Sequence, residues 1–371
     1  MDINKESIKI HKKLQGKVEV TPKENTNKDN ISLLYTPGVA EISRIIGKDV
    51  KKAYDYTIKS NTIAIVSDGS AILGLGNLGP EAALPVMEGK AVFFKQYGDV
   101  NAVPLCIKDQ DAAGIINFVE NIAPTFGGIN IEDIASPICF TVVDTLTKNL
   151  DIPIFHDDQH GSAIVTLSAL INALKVTNKD IKDSKIVLLG AGAAGYGVVK
   201  ILDHVGAKNV IVLDSKGIIN KNRENLDEHK KNIAQITNLN SEEGDLEDAI
   251  KDADVFIGFS GQKSILTKDL VKTMKQDPII FALSNPDPEI MPQDAKDAGA
   301  KIIATGRSDF PNQINNVVAF PFVMRKILDE NIKKLDQELF HNAAKKIASV
   351  VKDPTTDHII PSLDEMENVK L

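Results

Sequence analysis

One stretch, KIVLLGAGAAGYGVVKILDHVGAKNVIVLD at positions 185–214, constrains the fold more than any other. An apolar run, KIVLL, stops at a glycine turn; helical spacing follows, and then a second apolar run, NVIVLD, ends in an acid. This is a strand–turn–helix–strand unit of the length a parallel crossover needs. Within GAGAAG each glycine has its own task. Gly190 makes the tight turn, Gly192 lets backbone approach a pyrophosphate, and Gly195 lets helix and strand pack closely. Ala193 opens the helix, whose free N–H groups are the natural seat of a phosphate. Asp214, about 20 residues on, is placed to accept from a ribose hydroxyl. That acid favours NAD, while Lys216 and Arg223 nearby leave NADP open. A glycine turn without a ligand is the plainer reading, and the well-placed acid argues against it.

Alternation continues on both sides. TIAIVSDG, AVPLCI, the strand in GGINIEDI and IPIFHDD read as strands before the fingerprint; ADVFIGFS, PIIFALSNP and AKIIATG read as strands after it. Residues 81–98 are expected to hold a helix and a return strand, with Pro85 ending the helix early. QHGSAIVTLSALINALKVT reads as one long helix, and the polar run at 221–232 as a solvated helix face or loop. The expected fold class is α/β: an N-terminal α/β substrate and metal domain, residues 1–160, beside a Rossmann-type parallel-sheet nucleotide-binding domain, residues 161–371, whose C-terminal helices pack back on the first. The length of 371 residues suits two such domains. A net charge of −8 disfavours a nucleic-acid partner. No apolar run approaches the ~20 residues of a membrane span. The polar first residues do not resemble a secretory leader, so a cytoplasmic location is expected. Cys106 and Cys139 both lie in apolar surroundings, which suggests packing rather than ligation.

A second glycine pattern, Gly74, Gly76 and Gly79, lacks the strand–helix context and is read as a pocket wall or a close turn. Two acidic pairs, Glu132–Asp133 and Asp157–Asp158, each follow a strand. Carboxylates meeting at one place repel unless protonated or bridged by a cation, and an all-oxygen site suits Mg²⁺ or Mn²⁺. His156 and His160 stand four apart, but the first precedes the helix, so neither is read as a ligand. Helix capping is the competing role for the aspartates.

LLYTPGVA, SDGSAILGLGNLGP, MEGKAVFFKQYG, INIEDIASP, FHDDQHGSA, GAGAAG, LSNPDPE and INNVVAFP follow one another over roughly residues 10–330. In that order they resemble the malic enzymes, most closely the short bacterial type without an acyltransferase-like domain. The resemblance implies oxidative decarboxylation of (S)-malate to pyruvate and CO₂ with NAD or NADP, a divalent cation and a homodimer. It casts Tyr35 as general acid and Lys90 as general base, with Asp157 tuning Lys90. Glu132, Asp133 and Asp158 become metal ligands. Asn285 and Asn316 bind malate, Asn285 also reaching the cofactor. Ala71 stands where larger members carry an arginine that grips a substrate carboxylate; loop N–H groups, Arg307 or an asparagine would have to serve instead. Rival activities are a malolactic conversion with NAD retained, a metal-independent hydroxy- or amino-acid dehydrogenase, and a nucleotide sensor without turnover.

Overall fold

A computed structural model describes residues 3–371. Two sheets organise it. The first has four parallel strands, β1 (Thr62–Ser67), β2 (Asn101–Cys106), β3 (Gly128–Ile131) and β4 (Ile154–His156), in the order β2-β1-β3-β4. The second has six: β5 (Lys185–Leu189), β6 (Asn209–Asp214), β7 (Gly217–Ile218), β8 (Val255–Gly258), β9 (Ile279–Ala282) and β10 (Ile302–Thr305). Their order is β10-β9-β8-β5-β6-β7, with only β7 antiparallel. Strands β1, β3, β8 and β9 are buried along their whole length, which explains why apolar residues dominate them without alternation. In each sheet the order in which strands are added reverses between two parallel neighbours, β1 and β3 in the first and β5 and β8 in the second. Crevices at the carboxyl ends of such neighbours are where α/β sheets bind ligands.

The longer helices are α1 (Ile3–Leu14), α2 (Val39–Lys48), α3 (Pro80–Gly98), α4 (Ala112–Ile122), α5 (Ile138–Asn149), α6 (Ser162–Thr177), α7 (Ala193–His204), α8 (Glu228–Ile236), α9 (Phe320–Asp329) and α10 (Gln337–Ala348). Helix α3 corrects the expectation of a helix followed by a strand. It runs unbroken through Pro85, and Ala83, Met87, Ala91, Phe94 and Gly98 are its buried positions. Those steps of three and four are helical, and they override the strand-like AVFF. The Pro85 carbonyl accepts from Lys17 Nζ at 2.6 Å.

The C-terminal segment returns to the first sheet. Phe320 of α9 packs on Phe94 of α3 with centroids 4.7 Å apart. Arg325 donates to Asn61. Buried Asn172 of α6 donates to the carbonyls of Ala348 and Ile359 at 2.9 Å each, tying the chain end to the helix between the sheets. One apolar cluster therefore contains Ile63 and Phe155 of the first sheet, the apolar residues of α6, and Ile186 and Ile257 of the second.

Candidate active site

Parallel pairing brings the two acidic pairs together. Ile131 of β3 lies beside His156 of β4, so the residues that leave both strands emerge side by side. Glu132 and Asp133 turn off β3, with Asp133 in the left-handed region at φ 51°. Asp157–Gly161 forms a single π-helical turn before α6. The Asp133 N–H donates to Asp158 Oδ2 at 3.2 Å, and Asn130 Nδ2 donates to Glu132 Oε2 at 2.9 Å. One carboxylate oxygen from each of Glu132, Asp133 and Asp158 lies within 4.8 Å of the others.

These carboxylates do not ionise comfortably together. Burial, then the neighbouring Asp157, Asp158 and Asp133, raise Glu132 well above the usual range against the pull of Lys90. Burial and the adjacent Asp158 charge push Asp133 up to about 7. Burial would raise Asp158 too, but its bond to His156 and that ring's charge outweigh it and hold it low. Asp133 Oδ2 is buried with no hydrogen-bond partner. Three convergent oxygens, two carboxyls forced up and an orphaned acceptor fit a hard divalent cation.

Lys90 projects from the middle of α3 into this cluster. Its ammonium contacts Asp157, lies 2.8 Å from Glu132 Oε1 and sits 4.5 Å above the Phe320 ring. Burial would lower its pKa, but the Asp157 and Glu132 carboxylates more than offset it and hold Lys90 above its ordinary value. Asn316 Nδ2 lies 3.2 Å from both the carbonyl and Oδ2 of Asp157 and 3.3 Å from Ser162 Oγ. His156 is fully buried; its Nε2 is 3.2 Å from Asp158 Oδ2, and its N–H donates to His160 Nδ1. The His160 ring stacks on Phe340. Both histidines thus brace the turn from behind.

The fingerprint geometry accommodates a dinucleotide. A Cβ on Gly190, at φ 118°, would lie 2.5 Å from the Phe259 carbonyl, and one on Gly195 would lie 1.8 Å from the Gly190 carbonyl. A Cβ on Gly192 would meet nothing closer than Ser136 Oγ at 3.9 Å, so the space beside it is open for phosphate. A cavity of about 910 Å³ extends from Gly190–Gly192 past Asp214, Lys230 and Phe259. A second, of about 230 Å³, is lined by Gly192, Ala193, Gly195, Phe259 and Asp158. A third, of about 410 Å³, joins Asp158, Glu132, Asp133, Asp157 and Lys90 to Asn285 and Asn316.

Two expectations change. Asp214 does line the nucleotide cavity, but Arg223 grips both its oxygens, at 2.7 and 2.8 Å, and Lys230 lies 2.9 Å away. Burial would raise Asp214, yet these partners keep it below the usual range. A carboxylate flanked by two cations does not repel a 2′-phosphate as a free one would. The run at 221–232 is therefore not simply a solvated face, because Arg223 and Lys230 turn inward. Tyr35 is the second change: it is 66% exposed and absent from the lining of the cleft that holds Lys90.

The first glycine pattern forms a closed loop. A Cβ on Gly69 would lie 2.1 Å from the Gly79 carbonyl, and one on Gly74 would lie 2.6 Å from the Asn285 carbonyl, so the loop touches the far wall. Ala71 lines the cleft, and among the described residues Lys90 is the only cationic side chain that does. Arg307 sits outside, paired with Asp309 and donating to the Pro286 carbonyl. Glu289 escaped the sequence reading. It is buried and accepts from Ser260 and Ser284, pinning the loops after β8 and β9. The only signal for it was its place at the end of the LSNPDPE stretch.

Comparison with known proteins agrees with this geometry. The profile "Malic enzyme, NAD binding domain" matches residues 159–371, and "Malic enzyme, N-terminal domain" matches residues 15–113. The chain is 49% identical over 366 residues to the bifunctional malic/malolactic enzyme of Bacillus subtilis, covering 98% of this chain and 89% of that protein. It is 48% identical over 351 residues to the NAD-dependent malic enzyme of Geobacillus stearothermophilus, covering 94% and 73%. The crystal structure of NAD-dependent malic enzyme from Thermotoga maritima superposes with a TM-score of 0.93 at 46% identity, covering 97% and 96%. With a fingerprint, a carboxylate cluster and a lysine converging on one cleft, the chain belongs to the malic enzyme family.

Proposed function

We propose that this protein catalyses oxidative decarboxylation of (S)-malate to pyruvate and CO₂, reducing NAD⁺ or NADP⁺ with the help of a divalent cation. One observation carries the reading: Asp158 lines the cavity of the nucleotide turn and also the cleft of Lys90, so cofactor and carboxylate sites share a wall. Glu132, Asp133 and Asp158 would hold Mg²⁺ or Mn²⁺, which as a Lewis acid stabilises negative charge on the substrate's C2 oxygen. A nicotinamide cofactor held at the Gly190–Gly195 turn would supply the acceptor for the C2 hydride. Gly190, Gly192, Ala193 and Gly195 seat the pyrophosphate.

Lys90 takes the C2 hydroxyl proton, for which it must be neutral. Two carboxylates hold it protonated. Glu132 belongs to both the Lys90 pair and the cation cluster, so drawing Glu132 toward a cation removes one of those partners. Base activation is thereby coupled to loading of the site. Asn316 steadies Asp157, and with Asn285 it offers amide groups to malate. With no arginine lining the cleft among the described residues, the distal carboxylate is met by these amides and the N–H groups of the 69–79 loop.

Tyr35 is the proton donor to C3, supplied by a second copy in a cytoplasmic homodimer. Its exposure supports this, as does its setting. Among the described residues the exposed large apolar side chains lie between Ile3 and Leu84, apart from Val103 and Leu239. Such a surface favours burial in an assembly. The chain is assayed by following NADH or NADPH from malate with each cofactor, with Mn²⁺ or with EDTA. Lactate formed without free NADH would establish the malolactic reading that the Bacillus relative's name raises, and turnover in EDTA would overturn the cation's role.

A further inference from the structure

A second group of metal-binding side chains lies far from the cleft. His204 is the last residue of α7, and Glu338 and His341 are one turn apart on α10. His204 Nε2 is 3.2 Å from Glu338 Oε2, and the two imidazole centroids are 5.6 Å apart at 79°. One ligand atom from each residue lies within 4.8 Å of the other two. Metal–ligand bonds of 2.0–2.2 Å in a tetrahedron put donors about 3.3 Å apart. The His204–Glu338 pair already has that spacing, and His341 offers a ligand atom within 4.8 Å of both.

We propose that His204, Glu338 and His341 form a second metal site, for a borderline transition-metal cation of the Zn²⁺, Co²⁺ or Ni²⁺ class, which clamps α7 to α10. Two imidazoles and one carboxylate match the nitrogen-rich donor set such ions prefer, and leave one position open for water. Mg²⁺ and Mn²⁺ prefer oxygen and are drawn to the carboxylate cluster, so the chain sorts two kinds of cation by donor chemistry. Two features support it. The site stands at the carboxyl end of α7, where the helix dipole favours positive charge. Asn342 Nδ2 donates to Glu338 Oε1 at 2.8 Å, leaving Oε2 turned toward His204. Helix α7 begins at the fingerprint, and its 12 residues place the two ends about 18 Å apart. Metal bound here therefore stiffens the helix that presents the phosphate-binding N–H groups without touching the cofactor.

The test uses the full-length, untagged Asp158→Ala chain, whose carboxylate cluster is disabled, in excess Mg²⁺. Titration with Co²⁺ at pH 7.5 should show one saturable equivalent with the visible absorption of four-coordinate cobalt. Adding His204→Ala or His341→Ala should remove the absorption and weaken binding at least about tenfold. Glu338→Gln should weaken it too, with circular dichroism unchanged in all three. Zn²⁺ should raise the melting temperature of the parent and not of the histidine variants. No saturable Co²⁺ binding, or variants that titrate like their parent, would overturn the site.

Discussion

The carboxyl of Asp133, pushed up to about 7, makes cation binding a competition with a proton. A carboxyl must be deprotonated to ligate, so loading the cluster below pH 7 expels a proton from Asp133. For one group with that pKa, the penalty on the apparent dissociation constant is about 1 + 10^(7 − pH). From pH 8 to pH 5 the apparent Mn²⁺ affinity should fall about ninety-fold, about 2.7 kcal/mol. Glu132, also raised, can only steepen the slope; Asp158, held low, adds nothing in this range. Calorimetry in two buffers of different ionisation enthalpy measures both the affinity and the protons released. About one proton should appear per Mn²⁺ at pH 5.5 and almost none at pH 8.5. In Asp133→Asn the slope should flatten although binding is weaker throughout. An affinity unchanged between pH 5 and pH 8 would refute the reasoning. The same group reverses its effect without metal. Because its folded pKa is raised, it supports the metal-free fold in acid, and that support is lost as pH rises from about 4 through about 7.

Four other outcomes follow. Lys90→Met should abolish turnover and, by leaving Glu132 and Asp157 buried without their cation, lower metal-free stability by about 3 kcal/mol at pH 8 in a urea titration. Mixing Tyr35→Phe with Lys90→Ala, each inactive alone, should restore about a quarter of wild-type sites after subunit exchange, because half the dimers are mixed and each has one intact site; no recovery would place Tyr35 in the same chain as its lysine. Arg223→Ala should cost NADP about tenfold more in kcat/KM than NAD, since the lost charge-assisted bond faces a phosphate and the freed Asp214 repels it. Gly195→Ala should eliminate NADH binding by fluorescence, because its Cβ would lie 1.8 Å from the Gly190 carbonyl.

The nucleotide unit was legible because its signal is local: apolar runs, glycines at fixed steps and a terminal acid all fall within 30 residues. The carboxylates were legible as pairs following strands, and strand pairing explains why they meet. Other parts depend on contacts that the linear pattern does not carry. Arg223 and Lys230 lie 9 and 16 residues beyond Asp214, in a run whose composition suggests solvent, and only the fold turns them inward. Helix α3 was misread because Pro85 and AVFF point away from helix locally, while packing of Met87, Ala91 and Phe94 decides the matter. His156, which its place before the helix argued against as a ligand, braces Asp158 from a fully buried position. Glu289 gave almost no signal, since its serine partners come from two different loops.

The π-helical turn and helix α7 touch through bare backbone: a Cβ on Gly197 would lie 2.1 Å from the carbonyl of Gln159. Gln159 neighbours Asp158, and Gly197 sits one turn into the helix that starts at the fingerprint. The halves of the protein are consequently poor interchangeable parts. A recombinant joining the front of one relative to the back of another near residue 160 inherits this contact from two parents. It will work only where the helix keeps its glycine and the turn keeps its path. A library cut at 160 should therefore be dominated by pairs that preserve this bare patch.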